Sequence, residues 1–461
     1  MGVEIEKRIH MVGIGGAGMS GIAHILKEMG REITGSDLQR SDVTDRLERM
    51  GIPVFAGHSS ANLNKETELV VISSAIPPSN PETKKAVRLG IPVVKRGDML
   101  ASLVNNSHGI AISGAHGKTT TTSMIAVMLE ECRQNPSYII GGELQGSNQG
   151  AKLGGGKYFV AEADESDASF LKLHPHIAVV TNVEDDHLDF YKSVERLKDA
   201  FRQFVGQVKT GGFAVLYHGD AFLRELKDQY RHLIYYGSSP EADYYYTELK
   251  TKGWGSSFKV WHREQLLGTI NLSVPGRHNV LNCMAAVVVG NELGIPFSEL
   301  KHALKQFQGA KRRFQLLGQV NDTYIIDDYA HHPTEIAATI NAVRQFHKER
   351  LIVVFQPHRY SRTKLLGDHF GESFHEADLL ISTSIYGAGE APLEGVTGEI
   401  IYQAALDNGC NAVYIPDSDE IIKFLLDDIR PGDMVIFMGA GDIWKTGEKT
   451  KTALESLNPP S

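Results

Sequence analysis

Cysteine is scarce: Cys132, Cys283 and Cys410 are the only three in 461 residues. They are far apart and follow no metal-ligand spacing, which argues against a disulfide framework or a zinc site. A reducing, cytoplasmic setting is expected. Long apolar runs are missing too. The stretch around Ala285–Val289 falls far short of the ~20 residues a membrane helix needs. The first apolar run opens straight into a glycine-rich turn, so neither a signal-peptide core nor membrane insertion is expected. Positive charge is not in excess. With 47 Lys and Arg against 56 Asp and Glu, the net charge of −9 gives no general reason to expect nucleic acid as a partner. No fixed-period repeat or low-complexity tract is visible. What remains is ordinary globular composition, 42% apolar and 22% charged. Its length suits roughly three domains of ~150 residues.

Short apolar strands alternate with helical stretches, which predicts an α/β chain. Over 1–105, strands Ile9–Val12, Glu32–Asp37 and Leu69–Ile72 flank a helix carrying Ile22, Ile25, Leu26 and Met29 at helical spacing. A parallel, doubly wound, Rossmann-like domain is expected there. Over 106–311, Tyr158–Glu162 and Ile177–Thr181 are strands that end in polar residues. Phe258–Trp261 and Gly268–Leu272 are shorter and alternating, predicting a small antiparallel sheet beside a mostly parallel one. Gly309–Arg313 reads as a hinge. Strands Tyr324–Ile326, Leu351–Phe355, Leu379–Ile381, Ala412–Ile415 and Met434–Phe437 then predict a second Rossmann-like domain over 312–461.

The sharpest signal is Ile110-Ala-Ile-Ser-Gly114-Ala115-His116-Gly117-Lys118-Thr119-Thr120: a strand, a glycine-rich turn and a helix start. Backbone N–H groups and a helix N-terminus then converge on one anion, with a lysine and a magnesium-binding hydroxyl beside it. The first glycine lies four residues before Lys118, and Ile112 stands six before it, so a variant phosphate loop of a P-loop-type ATPase domain is favoured over the kinase and GTPase pattern. Gly13-Ile-Gly15-Gly16-Ala17-Gly18, with Asp37 near the end of the next strand, forms a second nucleotide cradle. It would suit NAD, FAD or a UDP-sugar.

Glu162-Ala-Asp164-Glu165-Ser-Asp167 crowds four carboxylates behind a strand, chemistry suited to Mg²⁺, with Glu165 the chosen ligand. Glu184-Asp185-Asp186-His187 ends the next strand, and His187 is a candidate for a second ion. In the last segment, Tyr329, His331 and His358 accompany Arg359 and Arg362. Two arginines three apart can form a fork for a carboxylate or phosphate, favouring a small anionic or zwitterionic substrate.

Taken together, these pieces resemble the Mur ligases. The likeness rests on Gly13-Ile-Gly-Gly-Ala-Gly-Met-Ser-Gly-Ile-Ala23, Gly114-Ala-His-Gly-Lys-Thr-Thr-Thr-Thr122, Glu162-Ala-Asp-Glu-Ser-Asp167 and Asp186-His-Leu-Asp189. It continues through Gly276-Arg-His-Asn279, Asp327-Asp-Tyr-Ala-His-His-Pro-Thr-Glu335 and His358-Arg-Tyr-Ser-Arg362, in the family's order. The resemblance implies a UDP-sugar domain, an ATP domain and an amino-acid domain, in that order. It implies that the lactyl carboxylate of UDP-N-acetylmuramate takes the γ-phosphoryl group of ATP, and that the amine of L-alanine then attacks the acyl phosphate. Gly13, Gly15, Gly16, Ala17, Gly18, Ser36, Asp37, Ser73 and Ser74 would serve the UDP-sugar. Gly114 through Thr120, with His278 and Asn279, would serve ATP. Thr119, Glu165 and His187 would hold two Mg²⁺ ions. Arg359 and Arg362 would clamp the amino-acid carboxylate beside Tyr329, with His331 or His358 orienting the amine or taking its proton. Ala115 stands where threonine is common in the family, with little consequence expected for a loop that works through its backbone. A monomer or a homodimer would both fit. The rival readings are a ligase adding a preformed tripeptide to the same nucleotide sugar, an NAD(P)-dependent oxidoreductase, and a non-catalytic nucleotide sensor.

Overall fold

The computed structural model describes residues 3–146, 149–185 and 188–457. The first sheet has five parallel strands in the order Val54–Ala56, Glu32–Asp37, Arg8–Val12, Leu69–Ile72 and Val93–Lys95. Strand order reverses between Arg8–Val12 and Leu69–Ile72, so a ligand crevice is expected at their carboxyl ends. The Gly13–Gly18 turn and Ser73–Ser74 follow these two strands.

The second sheet has ten strands. Its parallel heart is Phe213–Tyr217, Ile177–Val180, His108–Ser113, Tyr158–Glu162 and Ser137–Ile139. Tyr244–Lys252, Gly255–His262 and Gln265–Leu272 are successive neighbours joined by two-residue turns, which makes them antiparallel. The third sheet runs Gln315–Val320, Thr323–Asp328, Met434–Met438, Leu351–Phe355, Leu379–Ser382 and Ala412–Tyr414. Only its first pair is antiparallel. Leu351–Phe355 is buried at all five positions, as a central parallel strand covered on both faces must be.

Residues Met1–Leu249, Phe258–Asn271 and Leu281–Gln308 form one compact unit; Lys250–Ser257, Leu272–Val280 and Gly309–Ser461 form a second. Two pieces of the 106–311 segment thus go with the last sheet. Aromatic packing is one reason: the Trp254 ring lies 5.6, 5.3 and 5.4 Å from those of Phe314, Tyr324 and Phe346. In the first unit, the helix Ala17–Glu28 packs against the edge of the second sheet through Gly21. A Cβ there would stand 2.9 Å from Ile139 Cγ2, so this approach requires glycine.

A polar network is sealed inside the first sheet's domain. Glu82 and His10 are both 0% exposed. Ser36 Oγ donates to Glu82 Oε2 at 2.6 Å, Asn62 Nδ2 to Oε1 at 2.7 Å and the Ser59 amide to Oε1 at 3.1 Å; His10 Nε2 lies 3.5 Å from Oε2. Burial pushes this carboxyl up, but the adjacent His10 ring and hydrogen bonds from Ser36, Asn62 and Ser59 outweigh it and hold the pKa at about 2. A depressed carboxylate stabilises the fold above its unfolded value of 4.5, and that contribution fades as pH falls towards 2. Glu82→Ala should therefore lower unfolding stability by about 3 kcal/mol or more at neutral pH. Denaturant melts across this acid window should show a weaker pH slope in the variant than in the parent chain.

Candidate active site

The first cradle is built on the N-terminus of the helix Ala17–Glu28. Its N-cap, Gly16, brings no side chain to compete for the helix's leading amides. Gly13 sits at φ +77°, and its amide donates to Ser36 O at 2.8 Å. Asp37 Oδ2 accepts from the Gly15 amide at 2.8 Å, so this side chain braces the turn itself. Ser36 departs from its expected place: it is fully buried, with its hydroxyl on Glu82 inside the sealed network, while Ser73 and Ser74 line the cleft.

The second cradle follows the strand His108–Ser113. Gly117 caps the helix Lys118–Glu131 at φ +82°, and a Cβ there would meet Asn282 Oδ1 at 2.5 Å. The same Asn282 oxygen accepts from Thr121 Oγ1 at 3.2 Å. Thr181 and Asn182, at the end of the strand Ile177–Val180, grip the turn from below. The His116 amide donates to Asn182 Oδ1 at 2.9 Å, and His116 O accepts from Thr181 Oγ1 at 2.6 Å and Asn182 Nδ2 at 3.0 Å. The His116 ring lies 3.2 Å from Glu184.

Lys118 Nζ donates to Glu165 Oε1 at 2.6 Å and to Gly114 O at 2.5 Å, and Glu165 is only 2% exposed. Burial alone would lower the lysine's pKa, but the carboxylates of Glu165, Asp164 and Glu162 outweigh it and raise it. Glu162 Oε1 accepts from the Gly141 amide at 2.6 Å, and Arg96 Nη2 donates to Asp164 Oδ2 at 3.0 Å. One cavity of about 340 Å³ joins the two cradles. Its lining includes Gly16–Gly18 and Ser73 on one side, Lys118 and Glu162 on the other, and Arg96 between them.

Arg96, Asn182 and Asn282 carry no local sequence signal and join the site only through the fold. Arg96 directly follows the strand Val93–Lys95, and such strand ends are where parallel sheets keep their ligands. His187 lies outside the described residues.

In the second unit, His278 and Asn279 open the helix Arg277–Glu292. Asn279 Nδ2 donates to Pro275 O at 2.7 Å. Burial, helped by the Arg313 charge and opposed by Glu335, pushes the His278 imidazole down to about 4. Tyr329 follows the strand Thr323–Asp328, with the Arg312 and Arg313 guanidinium groups each 5.0 Å from its ring centre. Burial raises the two carboxyls that end this strand, Asp327 to about 7 and Asp328 to about 6. The His331 ring lies 5.6 Å from that of His358, and its Nδ1 is 3.2 Å from Glu335 Oε2. Burial, then the neighbouring His331, Arg362 and Arg359, push His358 down to about 3. Arg362 Nη1 lies 3.4 Å from His358 Nδ1. Tyr329 and His331, after the strand Thr323–Asp328, thus meet His358, after the strand Leu351–Phe355, across the intervening strand Met434–Met438, with Arg359 capping the next helix and Arg362 in its first turn.

The grip of Asn182 on the Gly114–Lys118 turn has a direct readout. Asn182→Ala removes both of its side-chain bonds to His116 and should loosen the turn without unfolding the sheet. Hydrogen exchange of peptides covering 112–120 should quicken roughly tenfold, the loss of about 1.4 kcal/mol of local protection, while the strand Ile177–Val180 stays protected.

Family models match three stretches: "Mur ligase family, catalytic domain" over residues 8–108, "Mur ligase middle domain" over 112–290 and "Mur ligase, glutamate ligase domain" over 312–441. The chain is 55% identical over 445 residues to the UDP-N-acetylmuramate–L-alanine ligase of Syntrophomonas wolfei, covering 96% of each. It is similar in structure to the UDP-N-acetylmuramate–alanine ligase of Thermotoga maritima, with a TM-score of 0.85 at 27% identity over 98% of this chain and 100% of that one. It is also similar to a murein peptide ligase from Psychrobacter arcticus, with a TM-score of 0.71 at 25% identity over 99% and 100% of the two chains. The chain belongs to the Mur ligase family.

Proposed function

We propose that this chain joins L-alanine to the lactyl carboxylate of UDP-N-acetylmuramate, giving UDP-N-acetylmuramoyl-L-alanine, ADP and phosphate in cytoplasmic peptidoglycan synthesis. Relatives of that name at 55% and 49% identity, aligned over nearly their whole length, support alanine over a tripeptide as the acceptor. The observation that carries the reading is the cavity shared by the two cradles. A diphosphate on the Gly13–Gly18 turn leaves its sugar near the Lys118 loop. The expected division into 1–105 for the UDP-sugar, 106–311 for ATP and 312–461 for the amino acid follows from this reading.

The roles follow from chemistry. Backbone amides of Gly114 to Thr120 would cradle the ATP phosphates, and Lys118 would stabilise charge on the transferring γ-phosphoryl group. Hard oxygen donors, the Thr119 hydroxyl and the Glu165 carboxylate, fit Mg²⁺, which when bound neutralises phosphate charge. His187 is the proposed ligand of a second ion. The lactyl carboxylate oxygen attacks γ-phosphorus as the bond to ADP breaks. The alanine nitrogen then attacks the acyl carbon, and phosphate leaves. Arg359 and Arg362 would clamp the alanine carboxylate, with Tyr329 alongside. His358, neutral at working pH, would accept from the ammonium group. His331, backed by Glu335, is the better candidate to take the proton. His278 and Asn279 would lie on the adenine side.

The deciding measurement is phosphate release from ATP and Mg²⁺ with UDP-N-acetylmuramate and each candidate acceptor in turn. Release should require both the sugar nucleotide and L-alanine. Activity with a tripeptide but not alanine would move the chain to the other ligase type, and nicotinamide turnover without ATP to an oxidoreductase. Lys118→Ala should lower kcat by about 100-fold or more while UDP-sugar binding by calorimetry survives. Arg359→Ala should mainly raise the alanine KM, since a carboxylate contact is largely uniform binding.

A further inference from the structure

Arg359 sits at φ +72°, ψ 136°, a conformation that a residue with a side chain keeps only when its surroundings hold it there. The Thr363 amide and hydroxyl donate to Arg359 O at 3.1 and 2.9 Å from within the helix, and the contacts from outside it come from one segment, 386–390. The Arg359 amide donates to Tyr386 O and the Tyr386 amide to Pro357 O, both at 2.8 Å. This pairing forms an isolated parallel bridge between His358 and Tyr386. The Tyr386 ring stacks on the His358 ring, with centroids 5.8 Å apart and planes 11° apart. A turn then reverses the chain, as the Glu390 amide donates to Gly387 O at 2.9 Å, with Ala388 and Gly389 both in the left-handed region.

That reversal brings Glu390 back to the first turn of the helix Tyr360–Ser373. Its carboxylate accepts from the Ser361 amide at 3.0 Å and from Ser361 Oγ at 2.6 Å. The helix needs this, because the Arg359 side chain at its N-cap does not cap it. An anion at a helix N-terminus is also favoured by the helix dipole. Burial raises the Glu390 carboxyl, but the Ser361 bonds and the Arg359 charge bring it below the ordinary range.

We propose that 386–390 is a positioning strap: Tyr386 fixes the backbone of His358 and Arg359, Glu390 fixes the start of the following helix, and together they aim the Arg359–Arg362 fork. The proposal rests on the reading of that fork as the amino-acid carboxylate site. Tyr386 and Glu390 are positioning residues that set alanine affinity through Arg359. They do not act on phosphoryl transfer.

The test is steady-state kinetics of the full chain with Tyr386→Ala, Glu390→Ala, Glu390→Gln and Ser361→Ala. The alanine KM should rise about tenfold in Glu390→Ala, the scale of one charge-assisted hydrogen bond, and more in Tyr386→Ala. The KM values for ATP and UDP-N-acetylmuramate should stay near those of the parent chain. Glu390→Gln should recover part of the alanine affinity, because its oxygen still accepts from the Ser361 amide, and Ser361→Ala should show a smaller rise of the same kind. An unchanged alanine KM in both Tyr386→Ala and Glu390→Ala overturns the strap. So does a proportional loss in kcat and all three KM values, as a merely structural lesion would give. Absence of alanine-dependent phosphate release in the parent chain overturns the ligase reading instead, which separates the two failures.

Discussion

The first unit's chemistry turns on one ion pair, Lys118 against Glu165. A lysine and a carboxylate that are largely removed from water each incur a desolvation cost, and each is tolerable only because the other is there. The pair ties the helix after one strand to the polar end of its neighbour. It also keeps the lysine charged beside Asp164 and Glu162. The turn around it is fixed independently by Thr181, Asn182 and Asn282. A site built to stabilise charge in a transferring group works best when its dipoles and charges are already in place.

The two cradles depend on close helix-to-sheet packing. Gly21 lets the helix behind the Gly13–Gly18 turn approach Ile139, and Arg96 reaches between Gly18 and Asp164. Neither residue would hold a phosphate under the proposed reading, yet both help bring the two glycine turns to one cavity. The sealed Glu82 network lies behind the same turn and draws Ser36 into the interior. The second unit uses a different device, in which the ends of two strands flanking Met434–Met438 bring histidines and arginines together and a returning segment braces a strained Arg359.

Sheet class, the positions of many strands and both glycine turns were legible in the sequence, because parallel strands read as short apolar runs and glycine turns have a local steric signature. Glu32–Asp37 and Leu351–Phe355 appear in the structure with the bounds expected of them. Short, partly exposed strands such as Val54–Ala56 and Val93–Lys95 leave no such mark, since three residues carry little periodicity. Ser36 is put on the UDP-sugar side by the resemblance alone, and the structure buries it. Alternation within a strand says which residues share a face, whereas the partner waiting on that face, here Glu82, comes from 46 residues away.

The sequence by itself determined the groups available: two glycine turns that each open a helix, a carboxylate cluster and a pair of arginines three apart, each written in contiguous residues whose spacing follows from backbone geometry. Only the tertiary structure decided which groups meet. Lys118 with Glu165, Arg96 with Asp164, Asn282 with Thr121 and Glu390 with Ser361 are pairs separated by 47, 68, 161 and 29 residues. Strand order and helix crossings set such meetings, and no local pattern encodes them.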